Sequence, residues 1–339
     1  MSRIIYDYPL LEHNTFGMDV KAKVFAEFES EADLRSLLAA EELAPYRQHC
    51  MVIGAGSNLL FTSDFDGLLL HSRMMELQIV ADTTESVLVR VGSGCLWDDF
   101  VAWSVKQGFY GAENLSAIPG EVGASAVQNI GAYGAEVCQL VVSVEAMDLH
   151  GEMCEFSNGE CRYGYRDSIF KGELKGQYVI TNVTYRLHKE PRWQLDYGNL
   201  RSEVERRGEP SGTTVREAVC AIRSAKLPDP AVTGNAGSFF KNPVVERSHF
   251  EHLRDAYPSI PCYPVGETQV KVPAAWLIEQ CGWKGRKLGR AAVHDRQALV
   301  LVNLGGASGA EVMHLAERIA EDVWQKFGIR ISPEVNYVV

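Results

Sequence analysis

The stretch from Ile118 to Gly134 constrains this chain more than any other. It holds four glycines, three alanines and almost no charge, and it follows a segment with helical periodicity. A backbone free of long side chains can lie against something flat or phosphorylated. Gln128 and Asn129 add amide donors and acceptors without charge. That combination suits a nucleotide cofactor. It also suits a plain glycine-rich crossing between packed elements, and the stretch alone does not choose.

A second small-residue loop sharpens the question. Met51–Ile53 reads as a buried strand running into Gly54-Ala55-Gly56-Ser57-Asn58-Leu59-Leu60. No G-K-[S/T] ends this loop, so it is not a Walker loop. Leu59 stands where a dinucleotide fingerprint needs its third glycine. Its backbone N–H groups can still wrap a pyrophosphate as a nest does. The competing reading is a hairpin turn between Val52 and a strand at Leu68–Leu70.

Elsewhere the periodicity predicts strands at Val24–Phe28, Leu88–Gly94, Val141–Leu149, Tyr178–Leu187 and Ala298–Asn303. Helices are expected over Glu31–Leu43, with Leu34, Leu37 and Leu38 on one face, over Leu96–Gln107 and over Val272–Cys281. Thr214 to Glu217 reads as a capping box opening a helix to about Lys226. Ser308 to Glu311 caps a last long helix whose inner face is Val312, Leu315, Ala316, Ile319 and Val323. Gly234 to Pro243 reads as a glycine-bounded turn leading into a strand. Strands and helices do not alternate regularly, which favours α+β over a doubly wound sheet. Pro191 breaks the pattern. The expected division is residues 1–190, a connecting segment 191–212, and a C-terminal domain 213–339.

The totals narrow the function. A chain of 339 residues has room for two or three domains. A net charge of -11 argues against nucleic acid as the main partner, while leaving room for a local cationic pocket. No signal peptide is read in the first 30 residues. The longest apolar runs, such as Ala298–Val302, are too short to span a bilayer. The eight cysteines are scattered without a C-x-x-C pair, so no metal site is expected, and they read as reduced thiols of a cytoplasmic protein.

Six motifs in order carry a resemblance: Asn14 to Gly17, Gly54 to Leu60, Ile118 to Gly134, Gly164 to Ser168, Gly234 to Pro243 and Pro333 to Val335. Together they resemble the UDP-N-acetylenolpyruvoylglucosamine reductase family, from about Asn14 to Val338. The resemblance implies an FAD-binding domain of the vanillyl-alcohol oxidase and p-cresol methylhydroxylase type, then an α+β substrate-binding domain whose last strand returns to the active site. It implies that NADPH, through FAD, reduces the enolpyruvyl ether of a UDP-sugar to a lactyl ether. That is a cytoplasmic step of peptidoglycan precursor synthesis, with no membrane, nucleic-acid or obligatory protein partner. Tyr197, in Asp196 to Leu200, resembles the subgroup with a tyrosine loop over the substrate. Ala126 departs from the pattern where proline is common, and Arg290 where glycine is usual.

The resemblance also implies roles. Arg166 would stabilise the charge that develops on the substrate carboxylate, since a guanidinium grips carboxylates in bidentate fashion. Glu334 would stand beside it, and Ser238 would protonate the carbon. Lys226, Lys241 or Asn242 would stabilise the alkoxide left behind. Tyr197, Arg223, Lys226, Asn242, Tyr263 and Lys284 would bind the anionic substrate. FAD would contact Gly54, Ala55, Gly56, Ser57, Asn58 and Leu59 in one loop and Gly120, Gly123, Ala124, Ser125, Gln128 and Asn129 in the other, with Tyr165 beside the flavin. His294 reads as structural. The rival readings are another flavoenzyme on the same FAD domain and a non-catalytic nucleotide-sugar binder.

Overall fold

Alternation of apolar and polar residues and helical periodicity share this chain. The computed structural model of the protein describes residues 3–339. In chain order, β1 (Arg3–Pro9) and β2 (Lys21–Phe28) precede α1 (Glu31–Ala39). Then come β3 (Cys50–Ile53), β4 (Leu59–Phe61), β5 (Phe65–Ser72), β6 (Leu77–Asp82), β7 (Ser86–Gly92) and α2 (Trp97–Lys106). The middle holds α3 (Val122–Gln128), β8 (Gly131–Ala132), β9 (Ala135–Glu136), β10 (Val141–Asp148), β11 (Met153–Ser157), β12 (Tyr178–His188), α4 (Leu200–Glu205) and α5 (Gly212–Lys226). The remainder holds β13 (Gly234–Ser238), β14 (Val244–Glu246), α6 (Arg247–Ala256), β15 (Tyr263–Val265), β16 (Gln269–Lys271) and α7 (Ala274–Gln280). It ends with β17 (Lys287–Leu288), β18 (Ala291–Val293), β19 (Val300–Asn303), α8 (Gly309–Phe327) and β20 (Asn336–Val338).

Two compact units share these elements. The first takes the chain through Tyr8, Ala22–Ala55 and Asp66–Ala225; the second takes Pro9–Lys21, Gly56–Phe65 and Lys226–Val339. Residues 213–225 therefore fall with the first unit, and two short N-terminal segments fall with the C-terminal residues.

In the first unit, one sheet has the order β1-β2-β5-β3 and another the order β11-β10-β12-β7-β6. Val87, Val89 and Val91 alternate inward from β7 onto a core with Trp97, Phe100 and Tyr185. The Phe100 and Tyr185 rings stack at 4.9 Å. A second core joins Leu34, Leu37 and Leu38 of α1 to Val24, Ala26 and Phe28 of β2 and to Leu68 and Leu70 of β5. Helix α1 stops at Ala39, short of the expected Leu43. A 3-10 segment, Glu41–His49, follows and contains Pro45, which has no N–H to continue an α-helix. Strand β3 runs parallel to β5, with Ile53 opposite His71. Parallel neighbours cannot be joined by a tight hairpin, so the hairpin reading of the Gly54 loop is excluded. Val52 is also 42% exposed, so β3 is only half-buried.

In the second unit, β13-β19-β18-β17 form one antiparallel sheet and β14-β16-β15 another. Strand β20 lies parallel to β4, pairing Asn336 with Leu59. Residues 234–238, expected as a turn, form β13, whose pairing with β19 breaks register between Asn235 and Ser238. Helix α8 has the expected Ser308/Glu311 capping box and inner face. The cap of α5 differs. Ser211 Oγ accepts from Thr214 N at 3.1 Å and Thr214 Oγ1 accepts from Ser211 N at 2.8 Å. The box thus opens at Ser211, because Thr214 already lies in the first turn. Strand pairing is mixed and helices do not alternate with strands, as α+β requires.

Candidate active site

The stretch from Ile118 to Gly134 is a turn, a short helix and a left-handed stop. Gly120 has φ +121°, and α3 ends at Asn129, itself left-handed at φ +44°. Gly123 lies against Ser93: its N–H donates to Ser93 O at 2.9 Å, and a Cβ on it would come within 2.9 Å of Ser93 Cβ. Ser125 is buried, donating to Val122 O and lying 3.0 Å from Tyr185 Oη. Asn129 is fully buried and donates to Gly164 O at 2.7 Å, while its Oδ1 accepts from Cys138 N at 3.1 Å. The side chains of Ser125 and Asn129 therefore hold the loop itself. Ala124 and Gln128 stay half-buried.

These bonds position Arg166. Gly164 and Asp167 exchange backbone hydrogen bonds of 3.0 and 3.1 Å, closing a tight turn around Tyr165 and Arg166. Arg166 sits at φ +55°, a conformation a non-glycine residue keeps only where its surroundings enforce it. Its guanidinium donates to Gly131 O and, at 3.4 Å, to Asn129 O, and it lies 5.2 Å from the Tyr165 ring. Ser168 Oγ ties the turn to Val127 O at 2.6 Å. The motif at Gly164 to Ser168 is thus built onto the end of α3.

Helix α5 holds the entrance to the same stretch. Asp98 accepts from Arg216 at 2.6 and 2.8 Å and from Ala117 N at 2.5 Å. Arg223 Nε donates to Ala117 O at 3.1 Å. Both polar groups of the Ala117 backbone, left-handed at φ +56°, are therefore held. Burial pushes the Arg223 guanidinium below its usual value, partly offset by Tyr133. Tyr133 meets Tyr197 edge-on at 5.9 Å, and Tyr197 is 53% exposed.

A buried carboxylate, Glu121, and a half-buried one, Glu27, escaped the sequence reading. Glu121 meets His71 Nε2 at 3.0 Å, and Glu27 meets His71 Nδ1 at 3.1 Å. Glu121 is also the one charged side chain between Ile118 and Gly134, which was the available signal. A Cβ on Gly54 would lie 3.0 Å from Glu121 Oε2, so this glycine makes room for the carboxylate.

The second unit gathers its own set. Gly56 is left-handed at φ +63°, and a Cβ there would run into the His13 carbonyl. Thr15 N donates to Gly56 O at 3.3 Å. Asn58 Nδ2 donates to Glu334 O at 3.2 Å, and Glu334 N donates to Phe239 O at 2.7 Å. Lys241 N donates to Ser332 O at 2.9 Å. The segments of Ser238 and Glu334 are thus brought side by side. Ser238 is exposed at the end of β13, while Phe239 is buried. Asn242 Oδ1 accepts from Ala274 N at 2.9 Å and so caps α7. Lys284 pairs with Glu279 at 2.9 Å on the surface. Lys226 and Tyr263 are exposed, and Ser57 and Leu59 half-buried. His294 Nδ1 accepts from Arg296 N at 3.3 Å, and burial lowers its pKa. Arg290 binds Gly306 O at 2.8 Å, and the side chain of Ala126 is wholly buried.

In the first unit these features fit a diphosphate-bearing cofactor. Small residues expose backbone at Gly54 and Gly120, and the one carboxylate of the Ile118–Gly134 stretch is drawn back to His71. Residues 22–157 match the family model "FAD binding domain", and residues 229–338 match "UDP-N-acetylenolpyruvoylglucosamine reductase, C-terminal domain". An FAD-binding domain joined to a dedicated C-terminal domain defines the class, a flavoprotein. A UDP-N-acetylenolpyruvoylglucosamine reductase of Bacteroides fragilis is 52% identical over 332 residues, 98% of this chain and 99% of that protein. One from Porphyromonas gingivalis is 50% identical over 337 residues, 98% of each chain. The chain belongs to the UDP-N-acetylenolpyruvoylglucosamine reductase family. The crystal structure of the Thermus caldophilus member shares the fold, with a TM-score of 0.69 at 21% identity, covering 100% of this chain and 99% of that one.

Proposed function

We propose that this chain reduces UDP-N-acetyl-3-O-(1-carboxyvinyl)-glucosamine to UDP-N-acetylmuramate with NADPH. It is an FAD-dependent oxidoreductase of peptidoglycan precursor synthesis. The identity to reductases along nearly the whole chain carries this reading. FAD, when bound, would supply the two-electron chemistry that links NADPH to the vinyl group. Its holders are the residues of the Gly54–Leu59 and Gly120–Asn129 loops, with Tyr165.

The protein's own groups handle charge and proton. Arg166, oriented by the Asn129 and Gly131 carbonyls, grips the substrate carboxylate and stabilises the charge that builds there. Ser238 donates its Oγ proton to the carbon. An enolate carbon is a strong base, so the hydroxyl needs no large pKa shift. Glu334, held at both its N–H and its carbonyl, is presented at the same step and helps there in its protonated or paired form. Lys226, Lys241 and Asn242 are the candidates for stabilising the serine alkoxide. Tyr197, Arg223, Tyr263 and Lys284 are proposed for the substrate's diphosphate and uridine, with Tyr197 as the tyrosine-loop residue. The C-terminal family match supports a substrate-binding role for that region. We place the protein in the cytoplasm: among the described residues no helix is long and apolar enough to cross a membrane, and all eight cysteines are free.

An anaerobic absorbance experiment tests the reading. NADPH is expected to bleach the flavin band, and the enolpyruvyl nucleotide sugar to restore it without oxygen. A band that returns only with oxygen would assign an oxidase instead. A protein that takes up no flavin on reconstitution would be a binder without this chemistry.

A further inference from the structure

A buried histidine between two carboxylates fixes a proton count. His71 is 5% exposed and Glu121 7% exposed, with their contact at 3.0 Å and the Glu27 contact at 3.1 Å. A neutral imidazole has one N–H and one lone pair. With a carboxylate at each nitrogen, one contact would then set lone pair against lone pair. Both contacts are hydrogen bonds only while the three groups hold at least two protons, as an imidazolium between two carboxylates or as a neutral ring beside one protonated carboxyl. Losing either proton leaves a repulsive contact in a buried place, where it is least screened.

The location gives this proton count a consequence. His71 stands opposite Ile53 in the β3–β5 pairing, next to Gly54. Glu121 follows Gly120, and its carboxylate fills the space that Gly54 leaves open. The main chain around Glu121 is fastened by Trp97 N to Gly120 O at 3.0 Å and Val122 N to Cys95 O at 2.9 Å. The triad therefore joins the Gly54 turn to the Gly120 turn. We propose that His71, Glu27 and Glu121 form a two-proton clamp that sets these turns for FAD, with His71 as a positioning residue for cofactor retention. The proposal rests on the reading that FAD lies against them.

The charged and titratable neighbours are few. Arg3 of β1 comes within 4.0 Å of Glu27, Arg73 acts on Glu121 through its charge, and the Cys95 thiol is weakly coupled to Glu121. The Phe25 ring stands 6.0 Å from the imidazole. Burial opposes charge on His71, but its bonds to Glu121 and Glu27 outweigh that and hold its pKa above the usual value. Burial likewise raises Glu121, with His71 offsetting only part. The clamp is therefore full at low pH and loses a proton only as pH rises through the raised value of His71.

The test measures FAD affinity against pH, by fluorescence titration of the apo-protein, in the natural chain and in Glu121→Gln. A proton required for binding makes Kd rise about tenfold per pH unit once it begins to leave. That slope is expected in the natural chain and absent in Glu121→Gln, where the amide donates or accepts without titrating. Circular dichroism checks folding. Should Glu121→Gln not fold, Glu27→Gln, at the partly exposed end of the clamp, takes its place. Nitrogen-15 NMR is expected to show both His71 ring nitrogens protonated or hydrogen-bonded above the usual histidine range. Equal pH profiles in the natural chain and the variant overturn the clamp while leaving the loops as the FAD site. If FAD binds without moving the Gly54 and Gly123 amide signals, the loop reading fails, and the clamp with it.

Discussion

Ser238 is exposed one residue before a buried phenylalanine, and that contrast is what a proton donor at a strand end needs. Phe239 and Phe240 anchor the segment, and the register of β13 with β19 breaks just before Ser238. Ser238→Ala is expected to leave flavin reduction by NADPH near normal and to slow enolpyruvyl reduction by about 10²–10⁴-fold, as loss of a general acid does. Stopped-flow measurement of each half-reaction checks this; equal losses in both, or in neither, would remove the assigned role. At Arg166, a lysine keeps the charge but loses the planar fork that the two carbonyls orient. Arg166→Lys should lower enolpyruvyl reduction about 10²-fold with flavin reduction spared, read in the same experiment. Residue types at the site were legible in the sequence; their partners were less so. The resemblance makes Ser125 and Asn129 cofactor contacts. Among their bonds are those to Tyr185 and Gly164, positions far along the chain that no local pattern announces. Lys284 reads as a substrate cation, and its ion pair with Glu279 shows only when helix and loop are folded.

Elements show where local rules suffice. Helix α8 could be read from its capping box and its apolar spacing because both signals are local. Ser308→Ala should lower stability by about 1 kcal/mol, as lost N-caps do, measured by urea unfolding. The end of α1 and the identity of β13 were not legible. Pro45 acts on the segment after the expected helix, and β13 is a strand only because β19, some sixty residues on, pairs with it. The Gly54–Leu59 loop is intermediate: its composition allowed a nest or a hairpin, and parallel pairing of β3 and β5 was needed to exclude the hairpin. Two left-handed glycines separate backbone strain from packing. At Gly108, with φ +73°, a Cβ would meet nothing within 4 Å, whereas at Gly56 it would meet the His13 carbonyl. Gly108→Ala should lose about 1 kcal/mol from backbone conformation alone. Gly56→Ala should lose more than about 2 kcal/mol, because backbone must move. Urea midpoints of the two variants decide between the terms; equal losses would mean that the crowding at Gly56 is relieved freely.

For the whole molecule, opposing titrations give stability a maximum on the mildly acid side. Burial works against the Asp98 charge, yet Arg216 and the Ala117 N–H outweigh it and hold its pKa below the usual value. Glu203, bonded to Arg206 and Arg207, is lowered to about 2. A carboxylate lowered by folding adds stability above its unfolded value and loses it as pH falls through the folded one. These groups therefore form an acid limb below about pH 4. Glu113 lies on the other side. Burial raises it, and its bond from Gly111 N at 2.6 Å offsets only part. A carboxyl raised by folding binds its proton more tightly in the native state, so the stability it adds is present at low pH and lost as pH rises through its folded value. His71, also raised, adds stability below its unfolded value of about pH 6.5 and loses it on the alkaline side. Urea midpoints of the apo-protein should then peak between about pH 4 and about pH 6.5 and fall on both sides. Asp98→Asn should shrink the acid limb, because the group that must be protonated there is gone. Glu113→Gln keeps an oxygen for the Gly111 N–H but carries no buried charge, so its midpoint should fall less than that of the natural chain as pH rises above about 4.5. Parallel curves over that interval would mean that Glu113 is ionised in the folded and the unfolded chain alike there, and the loss would then belong to His71 and Glu121.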